Sequence, residues 1–412
     1  MAGILAIDRN WNVVFPWVYS VDTRSNKILD KIEGLLGGEI RKSSGGIPFM
    51  AAKIKWIEEE FPDKYRNIAK FINLNTYVAG KLCSLGAEDA FIDYSVLAMY
   101  GLADVEARRW NSSICNKLKI DMDRLPAMLP PFKVAGKIPS SRFQTENDIE
   151  VLVGVGDKVA SFFGAGFLEK QKLIDETGTY TVLGFCTDRY ITDSKDRIIT
   201  SIYSGIEGIY FQFAVVAVGG YLYSWFTNKF RFDPKKDLKG DTDTEGLYFI
   251  PHFSGRAAPS QPYYRGVWFG IKWNHELSDF YVAMLESLGY EYDFIFNRIK
   301  KLNNLRDDFT DNIKVIGGGS KDKTWNLLKA SILNLKYRIM KEIPYELFGA
   351  FLIAKNGNEL PLKYKEFEDN RIISCTETIL PDKSRVNYYK PQCRKYIETV
   401  NKIGEIYRNS GA

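Results

Sequence analysis

A carboxylate directly after a glycine-rich turn is the residue of this chain best placed to do chemistry. Asp157 follows residues 151–156, a short apolar run that ends in two glycines. Such a turn lets a carboxylate point into a cleft, where it could take the proton from a hydroxyl as that oxygen attacks a phosphate. A structural role is the alternative, because an aspartate here could cap a helix that starts near Val159. These residues alone leave both roles open.

Two further segments could bind phosphate groups. Gly178 and Thr179 combine a close backbone approach with a hydroxyl donor. Residues 317–320 read Gly-Gly-Gly-Ser between a predicted strand and a predicted helix, where backbone N–H groups are free to bind anions. This is not a Walker loop, because Asp322 stands where that motif needs a glycine before Lys323. Taken singly, each segment is equally explained as a structural turn.

Strands that alternate with helices must position these residues, which predicts an α/β protein. The predicted strands are Gly3–Ile7 with its partner 11–15, and then 151–156, 179–187, 197–203 and 313–316. The predicted helices are 48–61, ended by Pro62, then 63–71, one starting after Glu276, one starting near Lys323, and 389–407. Gly219 and Gly220 are predicted to lie inside an apolar helical segment that ends at Phe226.

Composition excludes several function classes. The chain has 412 residues and 45% hydrophobic content, which is enough for two or three domains. Its net charge of +5 is small for this length, and the sequence has no long basic stripe that would bind nucleic acid. Five scattered cysteines without a C-x-x-C pair indicate reduced thiols and no zinc site. His252 and His275 are too few for histidine-based catalysis. Without a membrane-length apolar run or a signal pattern, the expected location is cytoplasmic.

Residues 266–286 link these features to a known family. A glycine pair flanks the apolar run Val-Trp-Phe, a loop ends in Asn-His-Glu, and a helix follows. Its apolar positions have helical spacing: Leu277, Phe280, Tyr281, Met284, Leu285 and Leu288. The string resembles the second signature of the FGGY sugar kinases, which include xylulose, glycerol and gluconate kinases. The resemblance implies the actin-like, ribonuclease H-like ATPase fold, with two α/β domains flanking a cleft.

The resemblance also implies roles for individual residues. Asp157 would be the catalytic base and a magnesium ligand, next to Lys158 where the family usually has glutamine. The implied nucleotide-binding residues are Gly178, Thr179, Gly220, Ser224, Gly317, Gly318, Gly319, Ser320 and Lys323, with Glu346 and Gly349-Ala350 downstream. The implied substrate-binding residues are Met1, Ala2, Asp22, Arg24 and Asp157. Asp93 and Ser95 match an Asp-x-Ser turn of the family, although an ordinary loop explains them equally well.

The resemblance predicts an N-terminal domain at residues 1–170, with the sugar site and the base, and a nucleotide-binding domain at 171–412. It begins late, because the family's first phosphate hairpin, Asp-x-Gly-Thr, has no counterpart. The strand Gly3–Ile7 is therefore expected to expose an unpaired edge. Either Met1 is internal to a longer protein, which we favour, or the chain is a catalytically impaired relative.

The implied reaction is ATP- and Mg²⁺-dependent phosphorylation of a small sugar or polyol. D-xylulose is the first expected substrate, giving D-xylulose 5-phosphate, and glycerol, ribulose and gluconate are alternatives. No nucleic-acid or membrane partner is expected, and a homodimer is compatible with the sequence. A sugar- or nucleotide-binding regulator and an actin-like assembly protein are the competing hypotheses.

Overall fold

The computed structural model describes residues 3–19, 22–216, 218–238, 244, 246–369 and 372–409. Met1, Ala2 and Val21 lie outside these ranges, so the substrate contacts predicted at Met1 and Ala2 stay predictions. Within the described ranges, none of the helices combines the length and the apolar character that crossing a membrane requires.

The first strand lies in the middle of a small sheet. Among the described residues this sheet has the order β2-β1-β3, formed by β1 (Gly3–Ile7), β2 (Val13–Tyr19) and β3 (Lys70–Ile72). Both pairings are antiparallel, and β3 covers one side of β1 through pairs such as Leu5 with Ile72. The predicted unpaired edge on β1 is therefore wrong. Residues 63–71 do not form the single helix that the sequence predicts, because that helix ends at Arg66 and the chain returns to the sheet as β3.

Short elements surround this sheet and bury a shared apolar core. The helices of this region are α1 (Asn26–Ser44), α2 (Phe49–Glu60), α3 (Pro62–Arg66), α4 (Leu74–Cys83), α5 (Leu97–Tyr100), α6 (Ser112–Leu118), α7 (Ser140–Phe143) and α8 (Asp157–Gly164). The remaining strands pair two by two: β4 (Phe91–Asp93) with β7 (Ala127–Leu129), β5 (Ala103–Asp104) with β6 (Arg109–Trp110), and β8 (Val134–Ile138) with β9 (Ile149–Leu152). Pro62 starts α3 as its first residue, a position where proline's missing N–H costs no helical hydrogen bond.

A larger mixed sheet forms the second half of the described chain. Its order is β12-β13-β11-β10-β16-β17-β18, and β16 runs parallel to both β10 and β17. The strands are β10 (Lys172–Thr177), β11 (Thr181–Thr187), β12 (Thr200–Tyr203), β13 (Tyr210–Val216), β16 (Asn312–Ile316), β17 (Lys336–Met340) and β18 (Cys375–Ile379). A separate hairpin consists of β14 (Tyr248–Ile250) and β15 (Val267–Phe269).

Helices pack against this larger sheet. They are α9 (Gly220–Phe230), α10 (Pro234–Asp237), α11 (Leu277–Asn303), α12 (Lys323–Leu333), α13 (Tyr345–Asn356), α14 (Leu360–Asp369) and α15 (Lys383–Asn409). The predicted starts of α11 and α12 are confirmed, and α15 is longer than predicted at both ends. Gly219 and Gly220 do not lie inside a helix as predicted, because Gly219 is the N-cap of α9 and Gly220 is its first residue.

Helix α8 packs against elements of the second half of the chain. Phe162 and Phe163 pack edge-on against Phe211 of the large sheet, with ring centroids 5.1 and 5.9 Å away. Helix α13 approaches α8 so closely that a Cβ on Gly349 would lie 1.8 Å from the carbonyl oxygen of Ala160. Gly349 is thus a packing residue between two helices. These contacts fix the position of α8, and Asp157 is the first residue of this helix.

Candidate active site

Asp157 is the first residue of α8, and its carboxylate is exposed. The N-cap is Gly156, and no side chain caps this helix end, so the predicted alternative of a capping aspartate is not what the fold contains. One carboxylate oxygen accepts a hydrogen bond from the backbone N–H of Lys158 at 2.9 Å. Desolvation raises the pKa of Asp157, but interactions that include this N–H outweigh it and leave the pKa below its usual value. The carboxylate is therefore ionised at neutral pH and able to accept a proton.

A buried aspartate and serine hold the turn that carries Asp157. The N–H of Gly156 donates to Ser95 Oγ at 2.8 Å, and that hydroxyl donates to the carboxylate of Asp93. Asp93 ends β4, is buried, and also accepts from the N–H of Ser95 at 2.9 Å. Burial raises the pKa of Asp93 to about 6, although the bonds from Ser95 lower it. The Asp-x-Ser turn, for which an ordinary loop was the alternative, thus supports the turn before Asp157.

Asp22 and Arg24 contact each other. The Nε of Arg24 lies 3.0 Å from each carboxylate oxygen of Asp22, and this hydrogen bonding is the main reason why the pKa of Asp22 falls to about 2. The guanidinium also lies over the ring of Trp56, 4.5 Å from its centroid. The buried ammonium of Lys53 donates to the backbone oxygen of Asp22 at 3.3 Å. These contacts hold the side chains of Asp22 and Arg24 in place. Their role in binding sugar stays a prediction.

Two of the glycine segments predicted to bind nucleotide contact each other. Gly178 and Thr179 lie in the hairpin between β10 and β11. The N–H of Gly219 donates to the carbonyl of Thr179 at 2.9 Å, and the N–H of Gly220 donates to that of Gly178 at 2.8 Å. The hairpin and the start of α9 are therefore one unit. Ser224, one turn into α9, is exposed.

The Gly-Gly-Gly-Ser loop lies on the end of β10. Gly317 has φ +87°, and a Cβ there would lie 2.5 Å from the carbonyl oxygen of Thr177. Asp322, the residue that breaks the Walker pattern, caps α12 by accepting a hydrogen bond from the N–H of Trp325 at 2.9 Å. Lys323 is exposed, and its ammonium lies 2.7 Å from Glu377 on β18. The loop follows a strand and precedes a helix, as predicted.

A cavity of about 130 Å³ connects this loop to α8 and α13. It is lined by residues of four stretches of the chain: Ser161, Glu176, Ile316, Gly317, Gly318, Ser320, Met340, Glu342, Ile343, Tyr345 and Glu346. The glycine loop and Glu346, predicted to act together although distant in sequence, therefore share one cavity. Lys323 is not among the residues that line it.

Sequence reasoning missed a buried ion pair beneath the glycine segments. The ammonium of Lys329 on α12 contacts the carboxylate of Asp175 on β10, and it donates to Thr177 Oγ1 at 3.1 Å. The hydroxyl of Tyr292 donates to Asp175 at 2.7 Å. One signal could have indicated it. Lys329 lies four residues from both Trp325 and Leu333, so it occupies the buried face of α12.

A second ion pair joins α8 to β10. The ammonium of Lys158 lies 2.6 Å from Glu176 Oε2, one residue before Thr177 at the end of β10. Burial raises the pKa of Glu176, and the charge of Lys158 lowers it. The residue next to the predicted base is thus connected to the strand that leads into the hairpin of Gly178 and Thr179.

The described residues do not include a group of three or more His, Cys, Asp or Glu side chains that could hold a metal ion. Magnesium makes smaller demands on the protein, because one or two carboxylates commonly bind it together with phosphate oxygens and water. The exposed carboxylate of Asp157 fits this mode.

Comparison with known proteins identifies the class. Residues 1–164 match the N-terminal domain of the FGGY family of carbohydrate kinases, and residues 176–355 match its C-terminal domain. Glycerol kinase 2 of Saccharolobus solfataricus is 26% identical over 376 residues, covering 84% of this chain and 72% of that protein. A xylulose kinase of Staphylococcus epidermidis is 23% identical over 367 residues, covering 87% and 72%.

Solved structures agree on the architecture. The ligand-bound xylulose kinase of Lactobacillus acidophilus superposes with a TM-score of 0.87 at 18% identity, covering 99% of this chain and 84% of that one. The fold is therefore the mixed α/β, actin-like ATPase fold of these kinases. With both domain models matched over most of its length, the chain belongs to the FGGY family of carbohydrate kinases and is a phosphotransferase.

Proposed function

We propose that this kinase transfers the terminal phosphoryl group of ATP to a hydroxyl of a small sugar or polyol, with D-xylulose, giving D-xylulose 5-phosphate, as the first substrate. One observation carries the proposal. Asp157 begins a helix whose next residue pairs with Glu176, at the end of the strand that enters the Gly178 hairpin. The base and the phosphate-binding segments are thus joined through a single pair of side chains.

Asp157 acts as the general base. The substrate hydroxyl oxygen attacks the terminal phosphorus, the bond from that phosphorus to the bridging oxygen of ADP breaks, and the hydroxyl proton passes to the carboxylate. A carboxylate with a lowered pKa is ready for this role at neutral pH. Ser95 and Asp93 keep the turn before it in place.

The glycine segments bind the nucleotide. Gly178, Thr179 and Gly220 form one unit around the hairpin, where backbone N–H groups and a hydroxyl are suited to phosphate oxygens. The loop of residues 317–320 borders the cavity with Glu346, whose carboxylate is suited to accept hydrogen bonds from hydroxyl or amino groups of the nucleoside. Ser224 and Lys323 would contact the same nucleotide from the outer side of the site.

Asp22 and Arg24 bind the sugar. The Asp22 carboxylate can accept hydrogen bonds from neighbouring hydroxyls, and charged acceptors make the stronger bonds. Residues 1–170 would then provide the sugar side of the cleft and the base, and residues 171–412 the nucleotide side. Asp157 would hold Mg²⁺, which supplies charge neutralisation for the phosphates when it is bound.

A coupled assay of ADP release with D-xylulose, D-ribulose, glycerol and D-gluconate tests the proposal. We expect turnover with at least one of them, and highest kcat/KM with D-xylulose. D157N should lower kcat by about 100-fold or more, as loss of a general base does. The matched control is D30N, an exposed aspartate on α1 that should leave kcat unchanged.

Two outcomes would count against it. Equal activity of D157N and the unmodified protein would remove Asp157 from the reaction. Binding of ATP and sugar without any ADP release would instead support a binding regulator, the alternative raised by the sequence.

A further inference from the structure

Lys158 occupies a position between the proposed base and the phosphate hairpin. It is the second residue of α8, directly after Asp157, and its ammonium lies 2.6 Å from Glu176. Glu176 is followed by Thr177 and then by the hairpin glycine, Gly178. The exposed fractions of the two side chains are 31% for the lysine and 16% for the glutamate. The Lys158 side chain is thus partly buried, and about a third of its surface remains accessible to solvent.

The surroundings of Lys158 are acidic. Glu176, Glu342 and Glu346 line the neighbouring cavity, and Asp157 precedes the lysine. Burial is the main cause that raises the pKa of Glu176, and the carboxylates of Glu346 and Asp157 raise it further. A polyphosphate carries several negative charges and would be repelled by such a set. A cation at this point would offset that repulsion when the terminal phosphate approaches Asp157, in addition to any charge that Mg²⁺ neutralises.

A lysine suits a contact that changes partners. Its ammonium is a compact charge on a flexible stem, with three donors that can reorient. The Glu176 pair holds that stem in the absence of nucleotide, and it keeps the ammonium next to the site rather than in open solvent. A glutamine, the residue usual at this position in the family, could still donate an amide hydrogen bond to phosphate, but it could not pair with Glu176 as an ion and would bring no positive charge to the phosphate.

We propose that Lys158 is a catalytic residue of this kinase that binds the terminal phosphate of the nucleoside triphosphate, exchanging Glu176 for phosphate oxygens when the nucleotide enters. The inference rests on the proposed function. It assigns to Glu176 the role of a competing internal anion. The two residues should therefore affect triphosphate binding in opposite directions.

Calorimetric titration with adenylyl imidodiphosphate, a non-hydrolysable ATP analogue, and with ADP tests this without requiring turnover. We expect K158Q to weaken binding of the analogue by roughly tenfold or more, and of ADP by less than about threefold, since a charged hydrogen bond to the third phosphate is lost. E176Q should strengthen binding of the analogue several-fold, because its lysine no longer has a competing carboxylate. K158R, which keeps the charge, should lie close to the unmodified protein.

Matched controls separate this from a structural tether. K170Q removes an exposed lysine paired with Asp188 and should leave both affinities unchanged. Thermal unfolding of each variant reports whether it is folded. If K158Q and E176Q weaken both ligands alike, the pair is only a tether and the inference is overturned; equal analogue binding by K158Q and the unmodified protein overturns it too. Nucleotide binding without phosphate transfer to any sugar would reject the proposed function while leaving these predictions for Lys158 to be judged by the titrations.

Discussion

The ammonium of Lys329 and the carboxylate of Asp175 form an ion pair enclosed by protein, with 1% and 0% of the two side chains exposed. The rings of Trp325, Tyr292 and Tyr337 surround the ammonium, with centroids 4.6, 5.6 and 5.5 Å away. The pair joins α12, which follows the glycine loop, to β10, which leads into the hairpin of Gly178 and Thr179. Two segments proposed to bind the same nucleotide are thereby fixed to each other.

Breaking this pair should strongly destabilise the fold. K329M leaves the carboxylate of Asp175 buried without its cation, and we expect the free energy of unfolding to fall by about 3–5 kcal/mol. Urea denaturation measures this. The matched control is K336M. It removes the exposed ion pair between Lys336 and Asp311, which should contribute less than about 1 kcal/mol to the free energy of unfolding. A K329M protein as stable as K336M would show that the buried pair contributes little.

The glycine loop offers an internal comparison. G317A places a side chain at φ +87° and ψ 175°, a conformation almost restricted to glycine, with a cost of about 1–3 kcal/mol. A Cβ at Gly318 would meet no atom within 4 Å, so G318A is the matched control. We expect G317A to weaken ADP binding and to lower the free energy of unfolding, and we expect G318A to leave the free energy of unfolding unchanged. Urea denaturation of both variants and calorimetry of G317A measure these effects. Equal stability of the two variants would contradict the packing described.

Ser95 should matter for catalysis more than for folding. S95A removes the acceptor for the Gly156 N–H and a donor to Asp93, so the turn before Asp157 loosens. Because small displacements of a reacting group cost rate, we expect kcat to fall by about 10- to 100-fold. S113A, an exposed serine on α6, serves as control. A normal kcat for S95A would mean that the turn holds Asp157 without this hydroxyl.

Glu286 predicts a pH dependence of stability. It is buried on α11, and burial raises its pKa to about 7, although hydrogen bonds from Tyr389, Thr244 and Tyr290 lower it. In the unfolded chain the pKa of the Glu286 carboxyl is near its ordinary value of 4.5. Between about pH 4.5 and pH 7, Glu286 therefore keeps its proton in the folded protein and loses it in the unfolded chain. Its stabilising contribution is complete below about pH 4.5 and is lost as the pH rises through about 7, by about 3 kcal/mol in total.

The measurement for Glu286 is urea denaturation of the unmodified protein and of E286Q at pH 5, 6, 7 and 8. Glutamine keeps the shape and does not titrate. The stability of the unmodified protein should decline relative to E286Q as the pH rises. Parallel profiles would show that the Glu286 carboxyl has an ordinary pKa.

Much of the local structure around the candidate site could be predicted from nearby sequence. Glycines at 317–319 between an apolar run and a helix start, and a helix beginning at Leu277, were correctly placed because their signals lie within a few residues. Asp157 was placed correctly at the end of a glycine turn, but its neighbours could not choose between a cap and a base. In the structure the N-cap of α8 is Gly156, so Asp157 does not cap the helix.

Other features were decided only by tertiary structure. Residues 70–72 lack a strand signal of their own, and their pairing with Gly3–Ile7 depends on a partner more than sixty positions away. Lys329 and Asp175 are 154 positions apart, and nothing in either segment indicates the other. Periodicity and turn residues act between near neighbours, and they therefore determined the α/β fold class and many of the helices and strands. Which buried charges meet, and which strand covers another, depends on how distant segments pack, and only the folded chain settles it.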